Sequence, residues 1–126
     1  MNHYAESNLL EIVEKILDLN AAMRFVAIID LKGNILEAIM KEKKTSLETQ
    51  KQQEKFCKDS AKARLMREYY DGSLGKTRYA HIERENVTQI YLYSQKSTIF
   101  VTMEPELSIK RKLEIVTKIK KMASHL

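Results

Sequence analysis

From Leu9 onward apolar residues recur at helical spacing (Leu9, Leu10, Val13, Ile16, Leu17), with Glu11, Glu14, Lys15 and Asp18 between them. Ser7 offers an N-cap hydroxyl, so a first helix is predicted from there to about Asn20. The period then shortens. Arg24 to Ile29 is a β-branched, almost wholly apolar run suited to a central strand buried on both faces. Asp30-Leu31-Lys32-Gly33-Asn34 reads as a turn in which Gly33 accepts a positive φ, and Ile35 to Met40 returns as a second strand.

Thr45-Ser46-Leu47-Glu48 has capping-box form and predicts a long helix running to about Tyr70. Residues 49–55 of that helix carry no apolar stripe. The second half, with Phe56, Cys57, Ala61, Leu65, Met66, Tyr69 and Tyr70, is expected to pack on a sheet. A loop at 71–77 holds two of the three glycines. Strands are then expected over Arg78–Glu83, Thr88–Ser94 and Thr98–Met103. Pro105 suits the start of a last helix, with Ile109, Leu113, Val116, Ile119, Met122 and Ala123 on one face and Lys110, Arg111, Lys112, Lys118, Lys120 and Lys121 around it. The expectation is a single α+β domain over residues 1–126. It has a five-stranded antiparallel sheet with helices on its faces, in the order α-β-β-α-β-β-β-α.

That order, and the hairpin sequence VAIIDLKGNILEAI at 26–39, resemble the roadblock-type (dynein light chain) domain with its profilin-like and longin relatives, and small archaeal proteins of this kind. The resemblance spans nearly the whole chain as topology. It implies dimerisation, with itself or a related domain, through the long second helix and the third strand, the two sheets meeting edge to edge. By position the interface would use Ala61, Arg64, Leu65 and Glu68 of the helix, with Tyr79, His81 and Glu83 of the strand. A small GTPase is the further partner class it implies. The helix here is longer and more basic than the family pattern, and the 71–77 loop is longer, which favours the dimerisation over the GTPase role.

Charge is distributed unevenly. Residues 41–67 hold nine basic and four acidic groups and residues 107–126 hold six and one, so each segment is net +5 while the whole chain is also +5. Lys51, Lys55, Lys58 and Lys62 of the second helix, with Arg111, Lys118 and Lys121 of the last, are therefore candidates for an anionic partner. Two solvated helix faces are the plainer reading. Nucleic-acid binding through these residues is possible but not favoured, because the strands that would carry stacking aromatics are net negative.

Little catalytic chemistry can be assembled. Gly72 to Thr77 has the look of a P-loop but lacks its first glycine and has strand and helix in the wrong order. His3, His81 and His125 are scattered, and one cysteine makes no zinc cluster. Cys57 is expected to be buried rather than nucleophilic. No catalytic residue, metal or cofactor is expected, no apolar run reaches membrane-spanning length, and the lone cysteine and absent signal pattern suggest a cytoplasmic setting. The reading is a non-catalytic interaction module. The alternative, a small-molecule sensor of PAS or profilin-like type, would need a defined cavity with Arg24, Tyr79 or Tyr91 facing inward.

Overall fold

The computed structural model describes residues 3–42, 44 and 46–126, with side chains from residue 8 onward. Nine elements follow in order: α1 (His3–Leu17), β1 (Met23–Asp30), β2 (Ile35–Met40), α2 (Gln50–Glu68), α3 (Asp71–Leu74), β3 (Tyr79–Glu83), β4 (Thr88–Tyr93), β5 (Ser97–Met103) and α4 (Ile109–Met122). The expected order holds, with one added helical turn, α3, inside the stretch read as a loop. All neighbouring strands are antiparallel, in the order β2-β1-β5-β4-β3. β1, β5 and β4 are the inner strands, each paired on both edges and buried along most of its length, and the burial of β1 on both faces matches its continuous apolar run.

The alternation of side chains along these strands divides the interior in two. Val26, Ile28, Ile90, Leu92, Ile99 and Val101 point to one face, where they meet Val13 and Ile16 of α1 and Ile115 and Ile119 of α4. Phe25, Ala27, Ile29, Tyr91 and Phe100 point to the other, where α2 lies alone and contributes Cys57. Each fully buried large aliphatic side chain contributes roughly 1.5–3 kcal/mol. The two-helix face, with 17 buried residues against six among the described residues, is therefore the main source of stability.

The β1–β2 turn fastens the hairpin to α2. The Asp30 carboxylate accepts from the backbone N–H of Lys32 and Asn34, both at 2.9 Å, and Gly33 takes φ +89°. A Cβ on Gly33 would stand 2.6 Å from the Cα of Lys58 and 2.8 Å from the carbonyl oxygen of Cys57. Glycine is thus required both for the φ and for the close passage of two backbones.

Five local expectations are corrected. α1 begins at His3, so Ser7 lies within the helix and not at its cap; the run from residue 3 holds no breaker to delay the start. Thr45 lies outside the described residues, and α2 starts later, at Gln50, on a different capping box. There the Thr49 hydroxyl accepts from the Gln52 N–H at 3.1 Å and the Gln52 side chain accepts from the Thr49 N–H at 2.8 Å. α4 is capped by Ser108, three residues beyond Pro105. It is also rotated from the expected face: Ile109 and Leu113 are exposed, while Lys112 is buried alongside Ile115. Lastly, α2 packs through Cys57, Ala61 and Arg64, and Leu65, Met66 and Tyr69 of its second half point away from the sheet.

Candidate interaction face

Arg64 decides how the second half of α2 is presented. Its Nη1 donates to the Ser97 carbonyl at 2.7 Å and to the Thr98 hydroxyl at 3.0 Å, and its Nη2 donates to the Ser94 carbonyl. The guanidinium lies 4.8 Å from the centre of the Tyr93 ring, and Nε stands 3.7 Å from a Glu68 carboxylate oxygen. Arg67, one turn on, donates to the Tyr93 hydroxyl. The two arginines pin the helix to the β4–β5 turn: Arg64 binds the Ser94 carbonyl and gives a second donor to the Ser97 carbonyl, which already accepts from the Ser94 N–H at 3.0 Å, and Arg67 holds the Tyr93 hydroxyl.

With that side committed inward, the opposite side of the helix carries an apolar stripe. Leu65 and Tyr69, and Met66 and Tyr70, are each four residues apart and so share one side. Their exposures are 69%, 83%, 72% and 55%, and Leu74 of α3 adds another at 80%. Tyr69 and Tyr70 meet edge to face at 5.0 Å. The chain then passes directly into β3, which pairs with β4 alone among the described strands and so offers a row of free backbone donors and acceptors.

β3 alternates across its two faces. Ala80 and Ile82 point to the α2 side. Tyr79 packs with the core of the α4 side, where Lys120 Nζ stands 5.5 Å from its ring centre. Glu83 binds the buried Lys112 ammonium at 2.8 Å, accepts from the Thr88 hydroxyl at 2.6 Å and lies 2.6 Å from His81 Nε2. Lys112 Nζ also donates to the Pro105 carbonyl at 3.0 Å. The Lys112 ammonium, then the Thr88 hydroxyl and the His81 ring, hold the Glu83 carboxyl down at about 2.

The residues singled out in the sequence are therefore spread over several places. Leu65 and Glu68 are exposed on α2; Ala61 and Arg64 lie beneath, spent on packing within the chain. Tyr79, His81 and Glu83 belong to the α4 side of β3, so Ala80 and Ile82 are the β3 side chains that share a face with α2. Met66, Tyr69, Tyr70 and Leu74 were absent from the expected set. Lys51, Lys55, Lys58 and Lys62 are exposed on α2, and Arg111, Lys118 and Lys121 on α4. The two basic sets stand on opposite sides of the sheet and form no single surface. Lys55 and Arg111 also have local acidic partners, Asp59 at 2.8 Å and Glu114 at 3.5 Å. Cys57 is buried, and burial pushes its thiol up to about 11, far from a nucleophile's range.

The fold these elements define is that of a roadblock-type domain. The chain belongs to DUF6659, a family of unknown function whose model matches residues 6–125. Among solved structures, gliding protein MglB from Thermus thermophilus superposes with a TM-score of 0.80 at 10% identity, over 98% of this chain and 91% of that one. A structure of MglB with tetrameric arrangement gives 0.76 at 12% identity, over 98% and 93%. A Roadblock/LC7 domain from Streptomyces avermitilis gives 0.67 at 6% identity, over 88% and 90%. No protein of curated function matches the chain. Among the described residues no helix is long and apolar enough to cross a membrane, and no cluster of His, Cys, Asp and Glu is arranged to hold a metal ion.

Proposed function

We propose that this domain is a non-catalytic interaction module that pairs with a second copy of itself through the outer face of α2 and the free edge of β3. The observation that carries the reading is the stripe Leu65, Met66, Tyr69, Tyr70 and Leu74, exposed beside an edge strand whose outer side is unpaired among the described residues. Aromatic and long apolar side chains grouped in this way are the composition of an interface centre. Strand pairing would supply register through the backbone, with Ala80 and Ile82 on the face shared with α2. The tetrameric arrangement described for MglB supports self-association as a use of this fold. Lys51, Lys55 and Lys58, nearer the start of α2, would stand clear of the stripe and attract an acidic partner, a small GTPase or a related domain. The free, buried Cys57 suits a reducing, cytoplasmic setting.

Absolute mass from light scattering across a hundredfold dilution tests the reading. One chain weighs 14.7 kDa, so the expected mass is twice that and insensitive to salt, since the contact is apolar. A single-chain mass at every concentration would overturn it.

A further inference from the structure

One helix covers a sheet face that needs two. On the other side α1 and α4 together fill the width of five strands; on this side α2 is drawn toward the β4–β5 turn by Arg64 and toward the β1–β2 turn at Gly33. Its first turn is left spanning open space. Between that turn, the strands and residues 84–87 lies a cavity of about 480 Å³. This volume falls in the range of small-molecule sites.

Its walls have a definite chemistry. Met40, Phe25 and Phe100 come from the adjacent strands β2, β1 and β5, and Phe56 from α2. Phe100 is 6.1 Å from Phe25 and 5.1 Å from Phe56, ring centre to ring centre, so a further flat ring would complete an aromatic cluster. Two arginines also line the cavity and they differ. Arg24 is ion-paired with Glu104 at 3.1 Å, a carboxylate that Lys44 shares at 2.6 Å. Arg84 is held by one corner only: its Nε donates at 2.8 Å to Oε1 of Gln89, a buried side chain, and it makes no ion pair among the described residues. Fixed there, its two terminal nitrogens keep the fork that binds a carboxylate in bidentate fashion. Glu48 and Glu85 also line the cavity and repel any anion in proportion to its charge, so a monoanion seated directly on Arg84 is favoured over a dianion such as a phosphate ester.

We propose that this cavity binds small aromatic carboxylates, the ring lying among Phe25, Phe56, Phe100 and Met40 and the carboxylate on Arg84. The site is at the N-terminal end of α2 and the apolar stripe at its C-terminal end, so binding does not depend on self-association.

The test uses 2-naphthylacetate as probe and its neutral amide as control, with affinity measured by calorimetry on the full chain. Saturable binding at one site per chain is expected. Arg84→Gln should weaken the acid by at least about tenfold, as loss of a charge-assisted pair does, and leave the amide unchanged. Met40→Trp should fill the floor and abolish binding of both. Arg84 is exposed, so R84Q keeps the test readable even if M40W folds poorly. No saturable binding to the native chain would overturn the site, as would binding that survives M40W in a folded variant. An acid affinity untouched by R84Q would overturn the carboxylate assignment.

Discussion

The ammonium of Lys112 sits beneath α4 with two oxygen partners, the Glu83 carboxylate and the Pro105 carbonyl. Its side chain is 3% exposed while that of Glu83 is 43% exposed, so the two ends of this ion pair are unequal. Removing Glu83 strands a buried charge; removing Lys112 leaves a carboxylate that water, Thr88 and His81 can still satisfy. Glu83→Gln is accordingly expected to destabilise the fold by about 1–3 kcal/mol in urea titrations at neutral pH, and Lys112→Met by less. The carboxyl is depressed in the folded state, from about 4.5 to about 2. Its contribution is therefore complete above pH 4.5 and lost as pH falls toward 2, and E83Q should flatten that part of the acid-unfolding curve. Gly33 is a second such position. Gly33→Ala forces a side chain into an unfavourable φ and against the backbone of α2, so a loss of ~2 kcal/mol or more is expected in the same titration.

At the scale of elements, α2 draws its stability from few sources, since only Cys57, Ala61 and Arg64 of the helix are buried. Its start should matter correspondingly. Thr49→Ala removes half of a reciprocal cap and is expected to cost about 1 kcal/mol and to raise amide exchange in the first turn; exchange unaltered there would mean the cap is redundant. The order of elements was legible from the sequence because period and turn chemistry are local: Gly33 between two β-branched runs can hardly be read otherwise. The start of α2 was not, because Thr45-x-x-Glu48 and Thr49-x-x-Gln52 are locally equivalent and lie four residues apart. The orientation of α4 was equally ambiguous. Val116 and Ile119 serve either face, and the choice of Lys112 over Leu113 for burial depends on Glu83, 29 residues away. Of the candidate interface residues on α2, Leu65 and Glu68 are exposed, whereas Arg64 reads as a surface charge until the Ser94 and Ser97 carbonyls and the Thr98 hydroxyl are brought to it. The cavity, assembled from the ends of several elements, has no local signature.

For the whole molecule, replacing Leu65 and Tyr69 by Asp should leave the fold intact, since both project from it, and convert a 29.4 kDa particle (twice 14.7 kDa) into one of 14.7 kDa in the light-scattering measurement. A paired mass that persists in this double variant would place the contact elsewhere, with the second free edge, β2, as the remaining strand to examine. The unequal helix cover has one more consequence, and it is a matter of symmetry. Two antiparallel copies of β3 are related by a two-fold axis perpendicular to the sheet, and such an axis cannot turn the sheet over. Both α2 helices would then lie on one side of a continuous ten-stranded sheet and all four copies of α1 and α4 on the other. The pair would be two-faced: a partner drawn to the α2 side meets the same surface twice, in opposite directions, and one that binds the α4 side never competes with it.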